Sequence, residues 1–354
     1  TCPKGSNSWR LSADTVTLDK NVGKGVARNA QLKLKGAPIL YTPYISFPID
    51  DRRKTGFLIP SFGTSDNSGI ELRTPFYLNL APNYDATITP RYLEDRGTQL
   101  MTEFRYLSPH NEGHVGVEYL PNDDVTNDNR SRITIRDEGR YGKHLTTDIN
   151  YDRVSDKDYL NDLGDSLSLA SITHLQRAAQ AQYTTRWWQL GIQLDDYQTV
   201  DKNIAQEDRP YQRLPRTTFS MASPFRPLGI ETQLYSEFVH FDADEQVTSD
   251  RVDLWPDISL PIRRSAFESV PKVGMRYTAY KLDNLAPGDS ENPTRTTPFF
   301  SMDNILYFER VLAIGSAKYT QTLEPRLFYL WVKGQNQEDI PLFDSSEPTF
   351  SYRE

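Results

Sequence analysis

The sequence contains one cysteine, Cys2, and no apolar run that approaches the roughly 20 residues a membrane-spanning helix needs. A helical membrane protein is therefore excluded. A lone cysteine cannot form a disulfide within the chain, so it is either a free thiol or pairs with a cysteine elsewhere. Basic runs are also lacking and the formal net charge is −8. No nucleic-acid partner is expected, because neutralising phosphates needs a basic surface.

Motifs of catalysis are missing as well. The sequence has no nucleophile elbow, no phosphate-binding loop and no dinucleotide fingerprint, and its five histidines have no metal-ligand spacing. Residues 123–129 are rich in Asp and Asn, but Val125 and Thr126 stand where a calcium loop needs oxygen ligands, so a solvated loop is the better interpretation. We expect no metal site, no cofactor and no enzymatic activity.

Period-two alternation dominates the sequence from about residue 54 onward. In residues 84–92, tyrosine, alanine, isoleucine and proline occupy one set of alternate positions, while Asp85, Thr87, Thr89 and Arg91 occupy the other. Successive side chains of a strand point to opposite faces, so one face is apolar and the other polar. Short and long polar connections between the runs tend to alternate, which is typical of outer-membrane barrels. The sequence predicts an all-β fold of antiparallel strands.

The first fifty residues have a different texture, with short apolar stretches that suit the end of a small soluble β-domain. We therefore predict two domains, residues 1–50 and residues 51–354, with a hinge between them. The predicted hinge residues are Pro48, Asp50, Asp51, Arg52 and Arg53. A mixed-charge run of this kind is usually a solvated connector.

Two prolines fall in the first strands predicted after the hinge. Pro60 and Pro75 lie fifteen residues apart, and proline cannot donate a hydrogen bond to a sheet ladder. Since a barrel inside a membrane should pair every backbone group, two such prolines make local opening easier there than elsewhere. A bulge or a strand end is the alternative explanation, and the sequence leaves both open.

Charged residues are scattered along the polar strand faces instead of being clustered as catalytic groups. If that face lines a water-filled lumen, contact with solvent is sufficient to explain them. The residues predicted to face the lumen are Glu71, Arg73, Asp85, Arg91, Glu103 and Arg105.

Several stretches resemble the LptD family of lipopolysaccharide-assembly proteins. The resemblance runs the whole chain and is densest before residue 125. The stretches that carry it are Cys2-Pro3 with Trp9, residues 44–53 (YISFPIDDRR), 56–60 (GFLIP), 81–90 (APNYDATITP), 104–107 (FRYL), 119–121 (YLP) and 343–346 (FDSS).

The resemblance implies a periplasmic β-jellyroll joined to an outer-membrane β-barrel, which surrounds the lipoprotein LptE and receives lipopolysaccharide from a bridge of LptA. It also implies transport without covalent chemistry, into outer-membrane lipid through a lateral gate that includes Pro60 and Pro75. Cys2 matches a family cysteine that bonds to one near the C-terminus of the whole protein. We therefore expect a fragment with only the end of the jellyroll and an incomplete barrel.

Two other functions are compatible with the composition. A generic porin or receptor barrel would share the alternating strands, although it would not need the jellyroll-like start. A soluble periplasmic polysaccharide-binding β-protein would use its aromatic faces as sugar platforms, and a degrading one would also need clustered catalytic carboxylates, which the spacing does not provide.

Overall fold

The structure is a computed structural model that describes residues 9–288, 290–315, 317–336, 340 and 342–344. It divides into two compact units: unit one takes in the described residues up to 108 together with 113–133, and unit two takes in 109–112 and the described residues from 134. Most of the chain is β-strand, and the helices α1 and α2 are five and four residues long. The predicted all-β fold is confirmed. No described helix has the length and apolar character needed to cross a membrane.

Unit one begins with a small antiparallel sheet. Strand β3 is at its centre, with β4 along one edge and β1 and β2 along the other. Val16 and Leu18 of β2 lie directly opposite Ala27 and Gly25 of β3, so they share one face of the sheet. Val16 and Leu18 are more than half exposed, which leaves an apolar face open. The strands are β1 (Trp9–Ser12), β2 (Thr15–Asp19), β3 (Lys24–Leu34) and β4 (Ala37–Pro48).

A second, larger antiparallel sheet follows in unit one. Its first strands are interrupted, so that β5 and β6 pair with β8 and β7 respectively, and both β7 and β8 pair with β9. The predicted boundary at residue 50 falls inside unit one and stays a prediction. The strands are β5 (Gly56–Phe57), β6 (Ser61–Ser65), β7 (Gly69–Arg73), β8 (Phe76–Ala81), β9 (Tyr84–Leu93), β10 (Gly97–Leu107) and β11 (Asn111–Leu120).

Unit two is largely an antiparallel meander: consecutive strands pair from β12 to β18, β18 and β19 both pair with β20, and β20 pairs with β21. Strand β21 then pairs with β24, while β22 and β23 form a separate hairpin. Strand β12 begins in unit one and continues into unit two. The elements are β12 (Arg130–Tyr141), β13 (Leu145–Val154), α1 (Tyr159–Leu163), α2 (Leu167–Ala170), β14 (His174–Thr184), β15 (Trp188–Thr199), β16 (Gln212–Ala222), β17 (Glu231–Asp242), β18 (Thr248–Ser259), β19 (Ile262–Arg263), β20 (Phe267–Asp283), β21 (Thr294–Leu306), β22 (Phe308–Ile314), β23 (Ala317–Leu323) and β24 (Arg326–Val332).

The first connections of unit two, from β12 to β16, differ between the two ends of the strands; the next two, residues 223–230 and 243–247, do not follow that difference. Short turns, residues 142–144 and 185–187, lie at one end, whereas residues 155–173 and 200–211 form longer loops at the other. We call these the tight-turn end and the long-loop end. Outer-membrane barrels show this asymmetry, with tight turns in the periplasm and longer loops outside.

Burial in unit two is the inverse of that in a soluble sheet. Ile192 and Leu194 of β15 are 47% and 44% exposed, while Asp195, which follows on the opposite face, is fully buried. On β18, Leu254 is 37% exposed and its neighbour Asp253 only 2%. Exposed apolar residues on one face and buried charges on the other are what a strand between lipid and a polar interior requires.

Candidate functional site

Pro60 and Pro75 lie side by side at a break in the first hairpin of the larger sheet. Pro60 falls between β5 and β6, and Pro75 falls between β7 and β8. The prolines therefore sit between strands, and our placement of them inside strands was wrong in that detail. Their segments remain in contact, because the Leu58 N–H donates to the Pro75 carbonyl at 2.9 Å.

The break is a bulge. Phe57 pairs with Phe76, and the next pair is Ser61 with Arg73, so three residues on one strand face two on the other. Such a bulge leaves the extra residue unpaired and disrupts the ladder locally. Ile59, in the middle of it, is 90% exposed. The sequence left open whether the two prolines weaken the ladder or mark a bulge. The structure has a bulge, and the bulge itself weakens the pairing.

A third proline, Pro90, lies in β9 directly beside this break. Its carbonyl accepts a hydrogen bond from the Thr74 N–H at 3.1 Å. In an antiparallel sheet such a pair normally exchanges two hydrogen bonds, and Pro90 has no N–H to supply the second. From the sequence, Pro90 is predicted only as an apolar position of a regular strand. We call the segments around Pro60, Pro75 and Pro90 the proline seam.

The connector, residues 49–55, is fastened to the small sheet on one side. Arg52 donates from Nε to Asp50 Oδ2 at 2.7 Å and from Nη1 to the Asn21 carbonyl at 3.2 Å. The hydrogen bond and charge of Arg52 lower the pKa of Asp50, which in turn raises the pKa of Arg52. Lys54 donates to the carbonyls of Val22, at 2.8 Å, and Gly23. The contacts of Arg52 and Lys54 with backbone carbonyls all reach the turn between β2 and β3.

Arg53 is fastened to the larger sheet instead. Its Nη1 donates to Asp85 Oδ2 at 2.8 Å, and its Nη2 donates to the Pro82 carbonyl. Asp85 is 4% exposed and also accepts from Arg105 Nε at 2.8 Å and from the Tyr77 hydroxyl at 2.9 Å. Successive side chains of an extended segment point in opposite directions. Arg52 and Lys54 thus bind one sheet while Arg53 binds the other.

Residues 50–53 are exposed, as expected for a solvated connector, but the segment is also clamped to both sheets by the contacts of Arg52, Arg53 and Lys54. Pro48 ends β4, and Asp51 is exposed. Gly23 is part of the clamp, although no sequence signal pointed to it. Its φ of +63° favours glycine, and a Cβ at this position would overlap the Asp50 carboxylate and the Arg52 guanidinium.

The residues predicted to face a lumen lie on one polar face of the larger sheet in unit one. Arg91 pairs with Glu71 at 2.9 Å, and Glu71 also pairs with Arg73. Arg105 Nε lies 3.5 Å from Glu103 Oε1 and also donates a hydrogen bond to Asp85 Oδ1. Arg91 and Asp85 contact less solvent than we expected, since they are only 3% and 4% exposed, whereas the side chains of Arg105 and Glu103 are both 51% exposed. That this face lines a lumen stays a prediction.

The loop between β11 and β12 is held by a buried carboxylate. Asp123 is fully buried and its Oδ2 accepts from Arg96 Nη1 at 2.8 Å and from Arg130 Nη1 at 3.1 Å. Oδ1 accepts from the Val125 N–H at 3.0 Å. Burial alone raises the pKa of Asp123, but these donors outweigh it and the net shift is downward. Our expectation of a solvated loop is wrong for Asp123, because this residue is fully buried.

A second charged anchor lies on the polar face of unit two. Asp344 Oδ1 and Oδ2 accept from Arg251 Nη1 and Nη2 at 2.6 and 2.9 Å, and Phe343 stacks on Phe241 with ring centroids 4.8 Å apart. Arg251 also donates to Glu237 at 2.6 Å. The segment after β24 thus folds back onto β17 and β18. Arg251, the partner of Asp344, lies 93 residues earlier in the chain, so local sequence patterns do not predict this pairing.

Two predictions receive no structural test. Cys2 lies outside the described residues, so its predicted disulfide stays a prediction. The expected absence of a metal site also stays a prediction. Within the described part of the chain, no group of three or more His, Cys, Asp or Glu side chains is arranged to hold a metal ion.

Comparison with known proteins now decides the family. A family model described as LptD, LPS transport system D, matches residues 128–354. The chain belongs to the LptD family. The LPS-assembly protein LptD of Nitrosococcus oceani is 42% identical over 354 residues, which cover 99% of this chain and 48% of that protein. The LptD of Methylococcus capsulatus is 40% identical over 353 residues, with 99% and 34% covered.

The LptD of Pseudomonas aeruginosa is 37% identical over 394 aligned residues, which cover 99% of this chain and 42% of that relative. The chain thus spans about half the length, or less, of these curated relatives. Among solved structures, a bacterial polysaccharide outer membrane secretin matches with a TM-score of 0.27 and 12% identity, covering 77% of this chain and 93% of that one. A likeness this weak supports no conclusion.

Proposed function

We propose that this chain is the portion of an LptD protein that passes lipopolysaccharide from the periplasm into the outer leaflet of the outer membrane. In this proposal residues 1–50 end a periplasmic jellyroll, and residues 51–354 form the first part of the barrel. The partners are lipopolysaccharide, the LptE plug, the LptA bridge and outer-membrane lipid. Transport involves no covalent chemistry, and Cys2 bonds to a cysteine outside this chain.

The proline seam is the observation that carries the proposal. A bulge at Pro60 and Pro75, next to a strand that lacks a donor at Pro90, weakens the hydrogen-bond ladder where the first hairpin meets β9. Inside a membrane, unpaired backbone groups have no water to bind, so a weak ladder is retained only where opening is useful. The lateral gate is proposed to open here.

Two further features support the same route. The open apolar face with Val16 and Leu18 suits acyl chains, and the polar face with Glu71 and Arg91 suits a hydrated sugar chain. The connector joins the sheet that carries the apolar face to the sheet that carries the polar face and contacts both. A generic porin or a soluble polysaccharide-binding protein is no longer preferred, because the chain belongs to the LptD family.

The test places a photo-crosslinking amino acid at Pro60 or Pro75 in the full-length protein in cells. Ile88 is the matched control, because it lies in neighbouring β9, on the face opposite Asp85. We expect lipopolysaccharide adducts at both prolines and few at Ile88. Folded, inserted protein without adducts at the prolines, or with equal adducts at all three positions, would exclude transport along this seam.

A further inference from the structure

A cavity of about 380 Å³ lies on the polar face of unit two, near the tight-turn end. Its volume falls within the range typical of small-molecule sites. Strand register builds its wall: Gln189 lies opposite Ser220, Ser220 opposite Tyr235, and Tyr235 opposite Trp255. Directly opposed residues share a face, so these four side chains form one row across β15 to β18.

Trp255 provides an aromatic platform in this row. It is 41% exposed, and Phe299 meets its ring edge-on, with centroids 6.1 Å apart. The Arg276 guanidinium lies 5.6 Å from the ring centroid and is fixed by Asp253, whose Oδ2 accepts from Arg276 Nε at 2.8 Å. The indole is thus held in place while much of its surface stays open to a ligand.

Polar side chains surround the platform. Gln189, which is partly buried, and Gln233, which is exposed, both line the cavity with side-chain amides. Asp257 lies opposite Gln233, and its buried Oδ1 has no hydrogen-bond partner, although Lys272 Nζ is 3.3 Å away. These three side chains together offer both donors and acceptors.

The charge of the cavity restricts that ligand. Its lining includes the Asp257 carboxylate and neither lysine nor arginine. A phosphate would meet this carboxylate, and the two cations beside the cavity, Lys272 and Arg276, are each already paired with a carboxylate, that of Asp257 and that of Asp253. Hydroxyl groups, in contrast, can donate to a carboxylate or an amide oxygen and accept from an amide nitrogen. A ring with an apolar C–H face and neutral hydroxyls matches both the platform and the amides.

We propose that this cavity is a binding subsite for neutral hexopyranose units of a saccharide. The proposal deepens the proposed function, because it rests on a sugar chain moving along the polar face. Trp255 stacks on the pyranose ring, Gln189 and Gln233 bind its hydroxyls, and Asp257 accepts a hydrogen bond while disfavouring phosphorylated sugars.

The experiment measures saturation-transfer NMR signals from neutral trisaccharides on the detergent-solubilised full-length protein. Gluco-, galacto- and manno-configured trisaccharides are compared with the 6-phosphorylated form of each. The variants are Trp255→Ala, Trp255→Phe and the control Trp331→Ala, which removes a half-exposed tryptophan from β24 on the other face. Heat-modifiable migration on gels establishes that each variant is folded.

We expect at least one neutral trisaccharide to bind, with at least a fivefold weaker signal in Trp255→Ala, partial retention in Trp255→Phe and no change in Trp331→Ala. Binding of none of the three, equal binding to Trp255→Ala, or stronger binding of the phosphorylated forms would overturn the subsite. Sugar binding without lipopolysaccharide adducts at Pro60 and Pro75 would instead remove the proposed transport route and keep the subsite.

Discussion

A single carboxylate, that of Asp123, closes the loop between β11 and β12 against Arg96 and Arg130. The Asp123 N–H also donates to the Asp128 carbonyl at 2.9 Å, so backbone and side chain fasten the same loop. Removing one partner of a buried ion pair typically costs about 3 to 5 kcal/mol, because the remaining charge is left uncompensated. Removal of the Asp123 carboxylate would leave two buried arginines, Arg96 and Arg130, without this partner.

Acid should open this loop over a defined pH range. The pKa of Asp123 is lowered in the folded protein, below its unfolded value of about 3.9. The stabilisation is therefore complete above about pH 4 and is lost as the pH falls through the folded pKa. We expect amide exchange in residues 121–129, corrected for intrinsic rates, to be constant from pH 5 to 8 and to accelerate only below about pH 4.

The variant Asp123→Asn should remove this dependence. It keeps the side-chain shape but not the charge, so the loop should exchange faster at neutral pH and change little on acidification. Asp124→Asn is the matched control, because Asp124 is its exposed neighbour and shows no such pairing. Equal protection of the loop in both variants would show that the Asp123 charge does not hold it.

At the scale of the strand, the proline seam makes a prediction about Pro90. Its carbonyl already accepts from Thr74, so Pro90→Ala supplies the N–H that can donate back to the Thr74 carbonyl. One added hydrogen bond contributes about 0.5 to 1.5 kcal/mol. We expect the variant to resist thermal unfolding more strongly in detergent and to give fewer lipopolysaccharide adducts at Pro75.

Pro256→Ala provides the comparison, since Pro256 lies in β18, far along the chain from the seam. It can gain a hydrogen bond too, but it should leave the adducts at Pro75 unchanged. If Pro90→Ala and Pro256→Ala affect those adducts alike, the weak pairing beside Thr74 does not control the opening.

Sequence patterns predict the elements far better than the contacts between them. The alternation in residues 84–92 matches β9, because side-chain alternation is a local property of a strand. The break at Pro75 separates β7 from β8, whereas we predicted that Pro75 lies inside a strand. Asp85 was identified as a polar-face residue, but its partner Arg53 is 32 residues away and not recognisable by periodicity.

At the scale of the molecule, the connector determines how the small sheet of unit one is held against the larger one. Arg53 is the contact to the larger sheet, while Arg52 and Lys54 hold the turn between β2 and β3. The Arg53 side chain is 47% exposed, and an exposed ion pair contributes at most about 1 kcal/mol. Its role is therefore to fix geometry more than to stabilise the fold.

This leads to a prediction about Arg53→Ala in the full-length protein. Asp85 keeps Arg105 and Tyr77, so β8 to β10 should remain folded, while the connector loses its hold on them. Spin labels at Thr17 and Asn83, both exposed, report the distance between the two sheets. We expect that distance distribution to broaden markedly, with a change in unfolding free energy of no more than about 1 kcal/mol.

Arg105→Ala separates the geometric effect from the loss of charge. It removes the other arginine from Asp85 but leaves Arg53 attached, so the distance distribution should stay narrow. Arg53→Lys should fall between the two, because an ammonium group cannot bind Asp85 and the Pro82 carbonyl with the planar fork of a guanidinium. If lipopolysaccharide adducts at Pro60 fall with Arg53→Ala but persist with Arg105→Ala, delivery to the seam depends on the orientation of the small sheet. If Arg53→Ala leaves the distances narrow, the clamp on the turn between β2 and β3 is sufficient by itself, and Arg53 has no positioning role.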